Sequence, residues 1–402
     1  MGGGPVPRAH VLFLHSSSGH YGADRQLALL ACGLDPDRYR PIVVLPPGEL
    51  AGDLRAAGAE VIERWPAAIR RGVGSPRGVA SLASDAIRDG AALGRLIRRR
   101  RVALVHSNTS VVLSGAAAAA AARVPHVWHV RELYSRYTAL WPVYRRVLRT
   151  AAALPCVSWS VAGQFGGDPR ARVVYDGLAI DARRAPRGPA RVALGLPDDA
   201  PVIAVLGRIS DWKGQDLLVS ALATAALRDR GAIGVVAGEP WPGAEARRER
   251  VLELARRLGV EDRLALVGFR EDVETVYGAA DVIAVPSTAP DPLPNTALEA
   301  AAAGCAVVAA AHGGLPEIIR DGETGRLFAP GDAAGLARVI GELLDDEGER
   351  ERLGGAAAAD VRTRFDPARL VAEMQSLYDA VRWSGRWAPG RRLRPRRWRR
   401  SR

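Results

Sequence analysis

Two kinds of pattern alternate along the chain. Short apolar runs rich in β-branched residues occur at His10 to Leu14, Pro41 to Pro46, Ala103 to His106, Val202 to Leu206, Ile233 to Ala237, Leu264 to Val267, Asp281 to Val285 and Ala306 to Ala310. Between them lie longer stretches with helical character, among them Asp24 to Ala31, Val79 to Arg99, Asp216 to Leu227, Ala244 to Leu258 and Ala333 to Leu344. Continuous apolar runs predict strands buried on both faces, and their alternation with helices predicts doubly wound parallel sheets of the α/β class. The alternation breaks at Ala182 to Pro201, where arginines and prolines cluster around a short helical piece, so an interdomain linker is predicted there. It ends at Ser384, beyond which the chain is too rich in Arg and Pro to bury a face and disorder is expected.

The densest chemistry follows the strand predicted at Asp281 to Val285. Pro286, Pro290, Pro292 and Pro294 force a non-helical loop, Asn295 stands at the expected N-cap with Thr296 after it, and Gly313-Gly314 turns into a helix with Pro316 in its first turn. Two helix N-termini at the carboxyl ends of neighbouring strands suit an anion such as a diphosphate. Asp291 and Glu299 flank that site, separated by seven residues. A second loop, Gly207 to Gln215, carries Arg208 and Lys213; a forked guanidinium and a compact ammonium on one loop suit phosphate oxygens. Lys213 is the only lysine in the chain, which favours a chemical role.

The stretch from Pro286 to Ile319 resembles the donor-sugar motif of the retaining glycosyltransferases of family four, and Gly207 to Gln215 is similar to that family's diphosphate-binding loop. The resemblance implies a GT-B fold: two Rossmann-like doubly wound domains, residues 1–182 and 183–366, facing a central cleft, with a helix at 367–384 returning to the first and a basic tail at 385–402. It implies that Glu299 holds ribose hydroxyls, that Asp291 lies near the transferred sugar, that Arg208 and Lys213 hold the diphosphate, and that the turn Gly268-Phe269-Arg270 holds the base. Asn295, Thr296, Gly313 and Gly314 complete the donor side. Asp291 stands where the family commonly has Glu. In the first half, the loop with Gly19, Tyr21 and Gly22 is a variant of the family's acceptor-side loop, and His129 would lie beside the donor sugar. Asp176-Gly177 stands where Asn-Gly is usual. No metal and no cofactor is implied beyond the nucleoside-diphosphate sugar as co-substrate; the partner is a hydroxyl-bearing acceptor in glycolipid, polysaccharide or natural-product glycoside synthesis.

Other residues read independently of the resemblance. His126 and His129 are three apart on a predicted strand, so they face opposite sides and do not share a metal without a bend. Arg131 and Glu132 read as an ion pair. Asp35-Pro36-Asp37 mimics a metal-binding pair of acids but reads as turn chemistry. The absence of a GxGxxG pattern after the first strand argues against a dinucleotide cofactor.

Charge changes the picture only at the end of the chain. The formal net charge is +12, but nine arginines fall in the last 18 residues, and without them the balance is +3. No specific nucleic-acid partner is expected. Trp65 with Arg64, Arg70 and Arg71, and the aromatic and Arg-rich stretch Tyr134 to Ala153, suit an anionic membrane surface; for the second, core aromatics with solvated arginines is the favoured reading. No run of about 18 apolar residues predicts a membrane span, and no signal peptide is read at the start. Cys32, Cys156 and Cys305 lack metal or disulfide spacing, so a cytoplasmic protein is expected, admitted to the inner membrane face. A nucleotide-sugar epimerase and a nucleic-acid or envelope binder acting through the tail are the rival readings.

Overall fold

A computed structural model describes residues 8–19, 21–70, 75–134 and 141–383. The tail expected to be disordered, Arg71, Arg136 and Tyr137 lie outside the described residues. The chain divides into two compact units, the first containing Met1–Ala179 and Pro367–Arg402, the second Ile180–Asp366.

The first unit is built on β1 (Ala9–Leu14), β2 (Tyr39–Leu45), β3 (Glu60–Glu63), β4 (Val102–Ser107) and β5 (His126–Trp128), in the order β3-β2-β1-β4-β5. All four pairings are parallel. Side chains alternate across each strand: Val11 and Phe13 enter one core with Leu27, Leu30 and Met374, while Leu12 and Leu14 enter another with Leu93, Ile97 and Val105. Both faces are therefore covered, which is why these strands are apolar without interruption. Beyond β5, β6 (Leu154–Cys156) and β7 (Ala171–Val173) pair in parallel, and bridges from Val127 to Ala153 and Val130 to Cys156 continue the ladder. The helix Pro367–Trp383 packs on this unit through Leu370, Met374 and Tyr378. The helix Ser114–Ala122, nearly all alanine, follows a stretch, residues 111–113, that pairs with 67–69: Ile69 N donates to Val111 O and Leu113 N to Ala67 O. Asp37 N donates to Asp35 Oδ1 at 2.9 Å, the turn chemistry expected of that pair.

The second unit holds β8 (Val202–Leu206), β9 (Ile233–Ala237), β10 (Leu264–Gly268), β11 (Val282–Val285), β12 (Val307–Ala310) and β13 (Arg326–Phe328), all parallel, in the order β10-β9-β8-β11-β12-β13. The segment read as a linker is part of this unit. Its helix Arg187–Ala193 carries Arg191, fully buried, whose guanidinium donates to the carbonyls of Ala279 and Pro197 and to Asp281 Oδ2 at 2.9 Å. A buried cation survives only when its charge and donors are met, so Asp281 and the carbonyls fasten the segment. Among the described residues no helix is long and apolar enough to cross a membrane.

Candidate functional site

In the second unit the winding reverses between β8 and β11, so the loops after those strands stand side by side at the carboxyl edge, where open α/β sheets bind ligands. Backbone contacts lock them together. Gly214 has φ +80°, and a Cβ there would lie 1.9 Å from Pro286 O; Gly313 has φ +62°, and a Cβ there would lie 2.3 Å from Asp291 O. Only glycine meets both constraints. Thr288 N donates to Trp212 O at 2.8 Å and Gly314 N to Asp291 O at 2.7 Å.

The result is a fixed Lys213 and Asp291. Lys213 Nζ donates to Asp291 Oδ2 at 2.7 Å, with the two side chains 18% and 8% exposed, and the ammonium also lies 4.5 Å from the centroid of the Trp212 ring. Arg208 lies over the Trp241 ring at 3.1 Å. Both cations of the loop thus rest on indoles. Glu299, on the helix Asn295–Ala302, accepts from the Tyr277 hydroxyl at 3.4 Å, and Thr296 Oγ1 reaches Leu206 O. Phe269 is largely exposed beside Gly268, whereas Arg270 pairs with Asp272, whose carboxyl that hydrogen bond holds down to about 2.

Two expectations are corrected here. Asn295 is the first helical residue rather than the cap: Pro294 occupies the cap with extended backbone and no side-chain hydrogen bond. The helix after Gly313-Gly314 is a single turn, Leu315–Ile318, too short to sum much dipole. Gly313 and Gly314 instead serve as the close contact that seats Asp291.

The carboxyl edge of the first unit is a buried polar network. Asp24, fully buried, accepts from His15 Nε2 at 2.6 Å, Ser17 Oγ at 2.5 Å and Tyr21 N at 3.0 Å. Burial pushes the Asp24 carboxyl up, but the His15 interaction and the other hydrogen bonds outweigh it and hold the group below its ordinary value. Asn108 Nδ2 donates to Ala23 O and to His15 Nδ1 at 3.2 Å, so His15 shares its Nε2 proton with Asp24. Tyr21 caps the helix Gly22–Gly33 with its ring exposed, and Gly19 sits beside its ring and Asp24.

His129 is fully buried just beyond β5, and its Nε2 has no partner among the described residues. Its ring meets His106 edge-on at 5.5 Å, and His106 Nδ1 accepts from the Tyr378 hydroxyl at 2.8 Å. Burial, then the nearby Arg131 charge, push both imidazoles well below their ordinary range. His126 is turned to Ser107 Oγ, 2.9 Å away, and burial lowers it to about 3. The expected Arg131–Glu132 ion pair is absent among the described contacts: Arg131 Nη1 grips both oxygens of Asp176 at 2.6 Å, and Glu132 accepts instead from Ser110 and from the Arg131 backbone N–H. Burial raises the Glu132 carboxyl.

The structure brings together Lys213, Asp291, Gly313 and Gly314 in one unit and His129 with His106 in the other. His15, Asp24, Asn108, Tyr378 and Trp241 join these groups without having been read from the sequence. At the surface of the first unit, Trp65 is exposed with Arg70 over its ring at 4.6 Å, while Arg64 is tied to Asp89. Among the described residues no cluster of His, Cys, Asp or Glu could hold a metal ion.

Two family models match consecutive parts of the chain: Glycosyltransferase Family 4 over residues 21–182 and Glycosyl transferases group 1 over residues 187–360. The chain is 37% identical over 210 residues to the D-inositol 3-phosphate glycosyltransferase of Corynebacterium diphtheriae, covering 50% of this chain and 48% of that protein. With its counterpart from Streptomyces coelicolor it shares 40% identity over 228 residues, 54% of this chain and 48% of the relative. The chain thus spans about half the length of these curated relatives. Among solved structures, Anabaena HepE in complex with UDP and glucose superposes with TM-score 0.77 at 26% identity, covering 92% of this chain and 99% of that one. Sucrose-phosphate synthase from Thermosynechococcus elongatus, at 21% identity and TM-score 0.74 over 94% of this chain and all of that one, shares the fold.

Proposed function

The chain belongs to glycosyltransferase family four and has the GT-B fold, and on that premise we propose that it moves a glycosyl group from a nucleoside-diphosphate sugar to an acceptor hydroxyl, with retention at the anomeric carbon. The observation that carries this reading is the Lys213–Asp291 pair at the strand reversal of the second unit, with Arg208 on the same loop as Lys213. As the bond from the anomeric carbon to the diphosphate breaks, its electron pair stays on the diphosphate oxygen. Fixed cations beside that oxygen favour the charge-separated transition state over the ground state.

In this reading Arg208 and Lys213 meet the diphosphate, Asp291 orients Lys213 and faces the transferred sugar, Glu299 takes ribose hydroxyls, and Gly268, Phe269 and Arg270 border the base. Asn295 and Thr296 offer the open first-turn amides of their helix. On the acceptor side are Gly19, Tyr21 and Gly22. His129, neutral because burial disfavours its cation and with its Nε2 shielded and unpaired among the described residues, is the residue the family resemblance assigns beside the donor sugar. Retention and freedom from metal are carried over from the family resemblance. The UDP and UDP-glucose complexes of HepE make uridine diphosphate the first nucleotide to try, and the inositol-phosphate relatives make polyol and sugar hydroxyls the first acceptors. Exposed Trp65 and Arg70 suit anionic headgroups, which would bring membrane-linked acceptors within reach.

The test is transfer from UDP-, GDP-, ADP- and TDP-sugars to an acceptor panel, with products followed by mass spectrometry. Lys213→Ala is expected to lose about 100-fold to 1000-fold in turnover, the range for removing one transition-state charge partner, while the fold is kept. Full activity in Lys213→Ala removes the diphosphate assignment. Release of an epimerised sugar nucleotide without acceptor would identify an epimerase instead.

A further inference from the structure

We infer that Trp241 is a positioning residue for the donor diphosphate: its indole is the platform that aims Arg208. The inference rests on the donor-site reading above and concerns a residue outside the family motif quoted for it.

Arg208 lies between two backbone hydrogen bonds that extend the β8–β9 ladder past the strand ends. Gly207 N donates to Ala237 O at 2.9 Å and Ile209 N to Glu239 O at 3.2 Å. The loop that follows β9 is thereby zipped to the loop that carries Arg208. Gly238, at φ +150°, permits the approach, since a Cβ there would lie 2.1 Å from Gly207 O. Trp241 comes two residues after Glu239, between Pro240 and Pro242, whose rings restrict the backbone. A turn closes behind it, with Ala244 N donating to Trp241 O at 2.8 Å. The helix Ala246–Arg257 ties the same segment back once more, as Arg247 Nε and Arg250 Nη2 donate to Asp211 Oδ1 at 3.0 and 2.9 Å.

The backbone around Trp241 is therefore tethered to the loop that carries Arg208, and the Arg208 guanidinium lies over the partly exposed indole at 3.1 Å. Stacking engages the face of a guanidinium and leaves its in-plane N–H fork directed outward, the geometry that takes two phosphate oxygens at once. It also restricts a long side chain that otherwise samples many rotamers, so less entropy is lost when a diphosphate is gripped. A ring is required for this, whereas an aliphatic side chain of similar bulk supplies packing alone.

The experiment is a double-mutant cycle by titration calorimetry on the full chain, using UDP, GDP and ADP, each beside its own nucleoside. Trp241→Leu is expected to weaken diphosphate binding roughly tenfold, to leave nucleoside binding unchanged, and to have little further effect in an Arg208→Ala background. Trp241→Phe is expected to restore most of the loss, and melting curves establish that each variant is folded. An equal loss with and without Arg208, or a loss as large for the nucleoside, overturns the inference and makes Trp241 a base contact. Full affinity in Trp241→Leu overturns it too. Should Arg208→Ala itself bind every diphosphate as well as the unmodified chain, the donor-site reading fails, and this inference with it.

Discussion

Both units wind a parallel sheet and gather their polar groups at its carboxyl edge, yet they hold them by opposite means. The first buries them: His106, His126, His129 and Asp24 are almost wholly shielded, with Asp24 met by His15 and Ser17, His126 by Ser107 and His106 by Tyr378, while one ring nitrogen of each of the three histidines has no partner among the described residues. The second fixes them from the backbone, through glycine contacts between neighbouring loops, and leaves Lys213 partly open to solvent. A buried network makes local chemistry a matter of fold stability, whereas a loop-borne site makes it a matter of binding. Perturbations of the first edge should therefore register as unfolding, and perturbations of the second as lost affinity.

The largest separation is expected from Asp176→Ala. It leaves the Arg131 guanidinium, whose side chain is 8% exposed, without its bidentate carboxylate, and stranding a buried charge costs about 3–5 kcal/mol. Urea unfolding followed by hydrogen exchange should locate that loss in residues 8–179; a loss below about 1 kcal/mol would mean that the pair behaves as a surface one.

Acidification should give an effect of similar size without any substitution. His106, His126 and His129 have folded values below the ordinary 6.5, His126 at about 3, so the unfolded chain takes up protons first as pH falls. Their contribution is complete above that ordinary value and is lost progressively as pH drops toward the folded values. Between about pH 7.5 and pH 5.5 the three histidines together should cost on the order of a few kcal/mol. Glu132, raised by burial, works in the opposite sense. The second unit contains a single histidine, His312, so its amides should keep their protection while the first unit's lose theirs. Equal loss in both units would break the contrast.

Tyr378→Phe is the smallest change. It removes the hydroxyl that satisfies His106 Nδ1 and should cost about 1–3 kcal/mol in the first unit, the cost of an orphaned buried acceptor. Nucleotide affinity should stay unchanged; a drop would break the separation of stability from binding.

What could be read from the sequence follows the same division. The strands and most helices stood out because runs buried on both faces are apolar throughout. The second edge was legible because its devices are local: Arg208 and Lys213 share one loop, Asp291 and Glu299 keep a fixed spacing, and two glycines make the turn. The first edge was not, because its partners are far apart in sequence; Tyr378 reaches His106, and Arg131 prefers Asp176 to its neighbour Glu132. Arg191 misled for the same reason. Its setting of arginines and prolines reads as a linker, and nothing local announces that Asp281 neutralises it. Trp241 escaped notice because a lone aromatic between prolines carries no signal until Arg208 is seen above it.

The nucleotide grip of the second unit is the feature on which the proposed activity depends most directly. Thermal stabilisation by UDP-, GDP-, ADP- and TDP-sugars, measured on the unmodified chain beside Lys213→Ala, tests it in one comparison. At roughly a hundredfold excess over its dissociation constant, the true donor should add about 2.7 kcal/mol to the unmodified chain and far less to Lys213→Ala. No shift with any sugar nucleotide, or the same shift in both proteins, would contradict it.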